Sequence, residues 1–195
     1  MLPIRWRRAV FSPLGGRSAK RARVHLDLAD GCCVRSYVAE DAAALVRHAN
    51  NPAVARGLRD RFPSPYGRVD AEVFLRGIAG QVEESDFAIA TPAEVIGGIG
   101  LQRQHDVHRL TAEIGYWLGE SQWGRGIATR AVAAVSEWLF ATTPLERLYA
   151  CVFETNPASA RVLEKAGYQL EGRLRRAVIK EGRILDQLLY ARLRP

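Results

Sequence analysis

Apolar and polar positions along the chain alternate in two distinct ways, and each way predicts a different kind of element. Residues 111–118 alternate at every second position, which is typical of a strand with one buried face. One face of that strand carries Ala112, Ile114, Tyr116 and Leu118, and the other carries Glu113, Gly115 and Trp117. From Ile127 onwards the apolar residues recur at near-helical spacing, which predicts a helix with one core-facing stripe. That stripe consists of Ile127, Ala131, Val135, Trp138 and Leu139.

The same two patterns predict an α/β (α+β) domain over residues 24–195. The predicted strands are residues 24–28, 32–37, 87–90, 95–102, 111–118, 147–153, 169–179 and 184–193. The predicted helices are residues 40–49, residues 69–82, the helix from Ile127, and a short helix that Asn156 and Pro157 open and Gly167 closes. Asp30 and Gly31 suit the turn of a first hairpin. Most neighbouring strands of the resulting mixed sheet are expected to be antiparallel.

The segment 123–129, with two glycines, joins the predicted strand 111–118 to the helix from Ile127. The first N–H groups of a helix lack partners within it and lie at the positive end of its dipole, so this turn can bind an anion such as a phosphate. A tight connection without a ligand is the alternative. The chain has no Gly-x-x-x-x-Gly-Lys-Ser/Thr loop, and a dinucleotide site would have glycine where Thr129 stands.

The net charge of +7 is concentrated in residues 1–23, a basic N-terminal extension without an acidic residue. Three interpretations remain open: a solvated extension, an arm that contacts RNA or another anionic surface, and an organellar targeting peptide. Three cysteines without a C-x-x-C pair favour a reducing compartment. No apolar run approaches the ~20 residues that cross a bilayer. We therefore expect a cytoplasmic protein that makes no membrane contact.

Three motifs occur in the order and on the elements of one known family: residues 113–118, the turn 123–128, and residues 156–168. Together with residues 50–52, 62–66 and 185–186, they make residues 28–193 resemble the GCN5-related N-acetyltransferase (GNAT) superfamily. Within it, the chain is most similar to the RimJ/RimL-like branch of ribosomal-protein-alanine N-acetyltransferases. The resemblance implies an acyltransferase with a mixed, mostly antiparallel sheet of about seven strands flanked by about four helices. It also implies that strands 111–118 and 147–153 splay apart at the cofactor site.

The cofactor implied by the resemblance is acetyl-CoA (coenzyme A). Its pyrophosphate is expected on the amides of the turn, and its pantetheine arm beside the preceding strand; the residues concerned are Trp117, Leu118, Trp123, Gly124, Arg125, Gly126, Ile127, Ala128 and Thr129. Asn156 commonly contacts the cofactor in relatives, although a helix cap is its alternative role. Two positions depart from the family pattern. Trp123 stands where Gln or Arg is frequent, and Leu163 stands where many relatives have a tyrosine that acts as general acid.

Acetyl transfer from a thioester to an amine needs an unprotonated nitrogen, so a general base is worth about 10² to 10⁴ in rate. Glu113 is the candidate base, acting through a water, and its alternative role is a strand carboxylate paired with an arginine. Ser159 is the candidate acid for the departing thiolate, and its alternative role is a hydrogen bond to the backbone in the first turn of a helix. From the family, a backbone N–H of the strand 111–118 is expected to hold the oxyanion.

The favoured acceptor is a protein N-terminal α-amine, as the resemblance implies. Two alternatives stay open: a small-molecule amine such as a polyamine or antibiotic, and a non-catalytic CoA-binding module that sits on RNA or the ribosome through its basic arm. A homodimer is a further open alternative. Phe62, Tyr66 and Trp117 are candidates for the wall of an acceptor pocket, or else they pack a loop onto the sheet. His105 and His108 have no nearby carboxylate or cysteine set, so no metal site is predicted.

Overall fold

The computed structural model describes residues 23–81 and 83–195. The predicted basic extension therefore lies outside the described residues except for Arg23, and so does Val82 at the end of the second predicted helix. The strands are β1 (His25–Asp27), β2 (Cys33–Ser36), β3 (Asp86–Ala90), β4 (Val95–Arg103), β5 (Thr111–Leu118), β6 (Arg147–Phe153), β7 (Gln169–Lys180) and β8 (Arg183–Leu193). The α-helices are α1 (Ala42–Ala49), α2 (Pro52–Arg56), α3 (Arg68–Ala79), α4 (Ile127–Thr142) and α5 (Pro157–Lys165). Within the described ranges, no helix is both long and apolar enough to cross a membrane.

The strands form a single sheet in the order β1, β2, β3, β4, β5, β6, β8, β7. Strands β5 and β6 are parallel, and the other neighbouring pairs are antiparallel. This arrangement confirms the predicted mixed, mostly antiparallel sheet. Parallel neighbours need a long crossover connection, and the one parallel pair lies where α4 connects β5 to β6.

The sheet has a separate set of buried side chains on each face, because successive residues of a strand point to opposite sides. On one face, Ala112 and Ile114 of β5 pack in a core with Val135 of α4. On the other face, Ala88 of β3 packs with Leu45 of α1 in a smaller core. The Glu113 face of β5 is therefore turned towards α1 and α3, as the alternation in the sequence predicts.

The structure differs from the predicted elements in one short helix. The described residues form the eight strands that the residue patterns predict, but their helices include α2, which was not predicted. The sequence suggested that Pro52 only ends the first helix. Instead, the Asn51 side chain accepts a hydrogen bond from the N–H of Ala53 at 2.8 Å, and Pro52 takes the first helical position. An amide cap followed by proline starts a new helix at this point.

The final hairpin, β7 and β8, reaches across to the loop between α2 and α3. At its tip, Lys180 Nζ lies 2.7 Å from Asp60 Oδ1 in that loop. Further along, the pairing of β7 with β8 is irregular, and Arg176 has a left-handed φ of 53°. The N–H of Arg176 donates to Asp186 Oδ1 at 2.7 Å, and Arg173 Nε donates to the other oxygen of the same carboxylate. Asp186 thus fixes the bend that brings the hairpin tip over the loop.

Candidate active site

Strands β5 and β6 pair over a short distance and then separate. The paired positions are Thr111 with Arg147, Ala112 with Leu148, and Glu113 with Tyr149. Beyond Glu113, β5 stays paired with β4 as far as Leu118, and β6 stays paired with β8 as far as Phe153. The facing edges of β5 and β6 are therefore unpaired beyond this point, which is the predicted splay.

Two cavities meet at the opening between β5 and β6. The turn cavity, of about 440 Å³, is lined by the glycine turn, the end of β5, α2 and α5. The loop cavity, of about 690 Å³, is lined by the α2–α3 loop, α3 and the sheet face that carries Glu113. Residues that line both cavities mark their junction: Gly57, Leu58, Tyr116, Trp117, Asn156 and Ser159.

The glycine turn presents a run of free backbone donors to the turn cavity. Gly124 and Gly126 have left-handed φ angles of 76° and 71°, which glycine adopts without the strain of a side chain. Gly126 is the residue at the N-terminal cap of α4. Among the described residues, no acceptor is found for the N–H groups of residues 124–129. These donors and the positive end of the α4 dipole form a site for an anion such as a phosphate.

Trp123 anchors the turn to the strand that precedes it. Its indole Nε1 donates to the main-chain oxygen of Leu118 at 2.7 Å, while 48% of the residue stays exposed. This contact fixes Trp123 between the turn and the end of β5. Of the residues predicted to bind the cofactor, Arg125 is the one that does not line the turn cavity, because its guanidinium donates to Gln122 Oε1.

Asn156, Ser159 and Tyr116 form a hydrogen-bonded group at the junction. Asn156 Oδ1 accepts from the N–H of Ser159 at 3.1 Å, so the predicted helix cap is present. Ser159 Oγ lies 2.8 Å from Tyr116 Oη, which also donates to the main-chain oxygen of Ser159 at 3.0 Å. Burial, opposed in part by the hydrogen bond with Ser159, raises the pKa of Tyr116 well above its usual range. The phenol therefore keeps its proton at neutral pH.

Glu113 lies at the point where β5 and β6 diverge and lines the loop cavity. Its Oε1 pairs with the guanidinium of Arg59 from the α2–α3 loop, so the arginine pairing named as the alternative role is present. For Oε2, no hydrogen-bond partner occurs in the described part of the chain. Burial first, and then the charge of Glu113, raises the pKa of the Cys151 thiol on the facing strand. The carboxylate thus acts electrostatically across the opening.

Aromatic side chains form part of the wall of the loop cavity. The ring of Phe62 lies 5.3 Å from that of Tyr66 and 5.7 Å from that of Trp117, measured between centroids. A Cβ atom on Gly98 would lie 2.7 Å from Trp117 Nε1, so the indole sits directly on the backbone of β4. These rings line the cavity and also pack the loop onto the sheet. The sequence offered these two roles as alternatives, and the structure shows both.

Leu163, where relatives often have a tyrosine, is fully buried in the core on the α4 side and lines neither cavity. The hydroxyl groups at the junction come instead from Tyr116 and Ser159. The sequence indicated Ser159 from its place after Asn156. It assigned Tyr116 only to the apolar face of a strand, and no local pattern indicates a contact between residues that far apart in the chain.

Basic side chains line the turn cavity and were missed in the sequence. They are Arg56 of α2 and Arg161 and Lys165 of α5. Among the described residues, neither Arg161 nor Lys165 forms an ion pair, whereas Arg56 Nε lies 3.7 Å from Glu181 Oε1. The spacing of Arg161 and Lys165 places them on one face of α5, which is the signal that could have identified them. Their charges complement the free amides of the glycine turn.

Residues 32–169 match the profile of a protein family described as the acetyltransferase (GNAT) domain. The N-acetyltransferase YoaA of Bacillus subtilis, itself named as uncharacterised, is 36% identical over 120 residues, which are 62% of this chain and 64% of that protein. The ribosomal-protein-serine acetyltransferase of Escherichia coli is 36% identical over 107 residues, 55% of this chain and 59% of that protein. The chain therefore spans less than two thirds of the length of either relative.

A solved structure of RimJ from Mycobacterium smegmatis, in complex with a CoA-disulfide, is similar to the chain in fold. The two superpose with a TM-score of 0.76 at 26% sequence identity, over 88% of this chain and 86% of that one.

Proposed function

Because the chain belongs to the acetyltransferase (GNAT) family, which is a family of N-acetyltransferases, we propose that it transfers an acetyl group from acetyl-CoA to a primary amine, with a protein N-terminal α-amine as the acceptor. The observation that carries this proposal is the meeting of the two cavities at Tyr116, Asn156 and Ser159. An acetyl donor in the turn cavity and an acceptor amine in the loop cavity can meet at this junction, where the two cavities share lining residues.

The turn cavity has the donor groups that coenzyme A requires. The pyrophosphate is anionic, and the free amides of residues 124–129 with Arg161 and Lys165 supply hydrogen bonds and positive charge. The unpaired edge of β5 between Gly115 and Leu118 leaves backbone groups for the amides of the pantetheine arm. When bound, acetyl-CoA supplies the activated acetyl group as a thioester. Residues of the chain bind it, place it at the junction and move protons.

Glu113 is proposed to accept the proton of the incoming amine through a water at Oε2. Its position supports this role, since it lies at the mouth of the splay and faces the loop cavity. Arg59 holds Oε1 and so fixes the carboxylate in one orientation. The proton of an ammonium group must leave before its nitrogen can attack, and a general base there contributes about 10² or more in rate.

Ser159 is proposed to donate a proton to the departing thiolate. Tyr116 supports this role, because its phenol lies 2.8 Å from Ser159 Oγ and holds the serine hydroxyl at the junction. Asn156 holds the N–H of Ser159 and thereby fixes the start of α5 at the junction. A thiol with an ordinary pKa of about 8.5 is a tolerable leaving group, so the acid adds to the rate without being indispensable.

The acceptor class is supported by the name of a relative. The Escherichia coli protein is named for acetylating a serine of a ribosomal protein, and its aligned region is 36% identical to this chain. A free chain end is a narrow group that can enter the loop cavity while the rest of its protein remains outside.

The test is release of free thiol from acetyl-CoA with a panel of acceptors: N-terminal peptides, polyamines and aminoglycosides. Fastest release with N-terminal peptides is the expected result, and mass spectrometry of the product should place the acetyl group on the α-nitrogen. Faster release with polyamines or aminoglycosides would assign the chain to small-molecule acetylation. Tight binding of coenzyme A without release for any acceptor would instead indicate a non-catalytic module.

A further inference from the structure

Asp86 lies in the wall of the loop cavity, on the opposite side from the splay. It is the first residue of β3 and pairs with Gly100 of β4, so both face the cavity. A Cβ atom on Gly100 would lie 2.6 Å from Asp86 Oδ1. The carboxylate therefore leans over the backbone of β4 towards the cavity floor, a position that only glycine at residue 100 permits.

The hydrogen bonds of Asp86 leave it with an uncompensated charge. Gln81 Nε2 and Ser85 Oγ donate to Oδ2, at 3.0 and 2.7 Å, and both donors are neutral. Across the ranges that the structure describes, no arginine, lysine or histidine pairs with it, and no donor is found for Oδ1. The other carboxylates of this cavity differ: Glu113 pairs with Arg59, and Asp70 Oδ2 accepts from the N–H of Gly67.

The floor between Asp86 and the junction is free of side chains. Gly100 pairs with Gly115 of β5, so glycines occupy this row of the sheet from β4 to the edge of the splay. Adjacent strands lie about 4.8 Å apart, so the backbone of Asp86 lies about 10 Å from that of Gly115. The carboxylate lies closer, because it leans over Gly100. An extended acceptor can therefore lie across the floor with one end at the junction and another group at Asp86.

The surroundings of Asp86 suit a positive charge. The rings of Tyr37 and Phe74 line the same end of the cavity and meet edge to face, with centroids 5.3 Å apart. Burial first, and then the charge of Asp86, raises the pKa of Tyr37, which shows that the phenol lies within the field of the carboxylate. A half-buried carboxylate without a cationic partner, beside aromatic faces, favours an ammonium or guanidinium group.

We propose that Asp86 determines acceptor specificity by binding a second positive charge of the acceptor, between one and two strand spacings of about 4.8 Å from the amine that is acetylated. This inference rests on the proposed function and adds the substrate class, a dicationic amine. Two sources share that chemistry. One is a peptide with lysine or arginine about three residues after its N-terminus, since an extended chain rises about 3.3 Å per residue. The other is a polyamine, whose second amine carries the charge.

The experiment compares acceptors in matched pairs with the wild-type protein, Asp86→Asn and Asp70→Asn. Peptides with lysine or glutamine at the fourth position form one arm, and diamines with monoamines of equal length form the other. We expect the wild type to favour the second charge about 10- to 100-fold in kcat/KM, as for a charge-assisted hydrogen bond. Asp86→Asn should lose that preference and keep its kcat/KM for neutral acceptors, and Asp70→Asn should retain it.

Binding of the same acceptors, measured by calorimetry with coenzyme A present, separates this inference from the proposed reaction. The role of Asp86 is supported if the wild type binds charged acceptors more tightly than neutral ones and Asp86→Asn does not. This holds even where no thiol is released. The inference is overturned if the wild type binds charged and neutral acceptors equally. It is also overturned if Asp86→Asn weakens the binding of charged and neutral acceptors by the same factor. The arm with the larger preference identifies the source of the charge. Unchanged thermal unfolding and KM for acetyl-CoA show that each variant is folded.

Discussion

The phenol of Tyr116 lies 2.8 Å from Ser159 Oγ and 3.0 Å from the main-chain oxygen of the same serine, at the junction of the two cavities. The phenol has one proton and two acceptors within reach, so it can donate to Oγ when the serine hydroxyl turns towards another group. The pair is thereby suited to supply a proton at the point where the cavities meet.

Ser159→Ala is expected to lower kcat by about 10²-fold, the low end for a general acid, because a thiolate leaves readily. The cap of α5 should survive, since Asn156 accepts from the backbone N–H. Tyr116→Phe should lower kcat less, and the double variant should be no slower than Ser159→Ala.

Ser136 and Tyr168 form a control pair with the same 2.8 Å oxygen separation in the core. Ser136→Ala and Tyr168→Phe should change thermal stability but leave kcat unaffected. If Ser159→Ala has the same kcat as the wild type, the serine has no part in the mechanism.

Glu113→Gln is expected to lower kcat/KM by about 10²-fold, because the amide cannot accept a proton. The dissociation constant of coenzyme A should stay the same in this variant. Arg59→Gln keeps the carboxylate but no longer fixes its orientation, so it should lower turnover less than Glu113→Gln. Glu171→Gln breaks an arginine pair away from the cavities and should have no effect. Wild-type turnover in Glu113→Gln would leave Glu113 as an ion-pair partner only.

Gly126→Leu is expected to weaken coenzyme A binding by about 10-fold or more, since a side chain at a left-handed residue strains the turn that presents the amides. A Cβ atom there would also lie 3.2 Å from Arg130 Nη1. Gly182→Leu introduces the same backbone strain at φ 73° in the hairpin tip, where the space is open. Both variants should unfold at lower temperature, and calorimetry should find weaker binding in Gly126→Leu alone. Equal affinities would show that the turn does not hold the ligand.

The double variant Arg161→Gln and Lys165→Gln is expected to weaken coenzyme A binding about 10-fold at low ionic strength, by loss of charge-assisted hydrogen bonds. The difference from wild type should shrink as salt is added, because exposed charges are screened. Arg175→Gln with Arg183→Gln removes the same charge from the final hairpin and serves as the control. An equal loss of affinity in both double variants would indicate only a general charge effect.

Asp186→Asn is expected to lower the free energy of unfolding at pH 7 and to make little difference in acid. The backbone N–H of Arg176, and then the Arg173 guanidinium, lowers the pKa of this carboxyl below its ordinary value. The stabilisation is therefore complete above the unfolded pKa of about 3.9 and is lost as the pH falls through the lower, folded pKa. Urea unfolding of both proteins at pH 7 and at successively lower pH measures the difference. A difference that persists below the folded pKa would contradict the assignment.

Much of the fold could be predicted because its elements depend on local patterns. The bounds of β5 and β6 agree with the predicted residues 111–118 and 147–153, since alternation and flanking turns specify them. The family match confirms the GNAT prediction, which rested on motifs that lie in order along the chain. The apolar stripe of α4 is buried at Ile127, Ala131, Val135 and Leu139, as a helical period requires.

The features that were missed depend on contacts between distant residues. Arg59 reaches Glu113 and Tyr116 reaches Ser159 only because the splay brings loop, strand and helix together, and no periodicity encodes this. Arg161 and Lys165 are spaced as on the exposed face of any helix. From the sequence alone, such a face cannot be distinguished from one that lines a cavity. The start of α2 was missed for a local reason: proline both ends one helix and suits the first position of the next.

The short pairing of β5 with β6 links the stability of the protein to its ligand. Three residue pairs join the two parts of the sheet, so few backbone hydrogen bonds hold β1–β5 to β6–β8. A molecule bound in the opening contacts both parts and supplies hydrogen bonds that the backbone does not make itself. Ligand that binds only the folded state raises the free energy of unfolding as its concentration exceeds the dissociation constant. Under the proposed function acetyl-CoA is such a molecule, and its supply in a cell would then protect this protein against proteolysis.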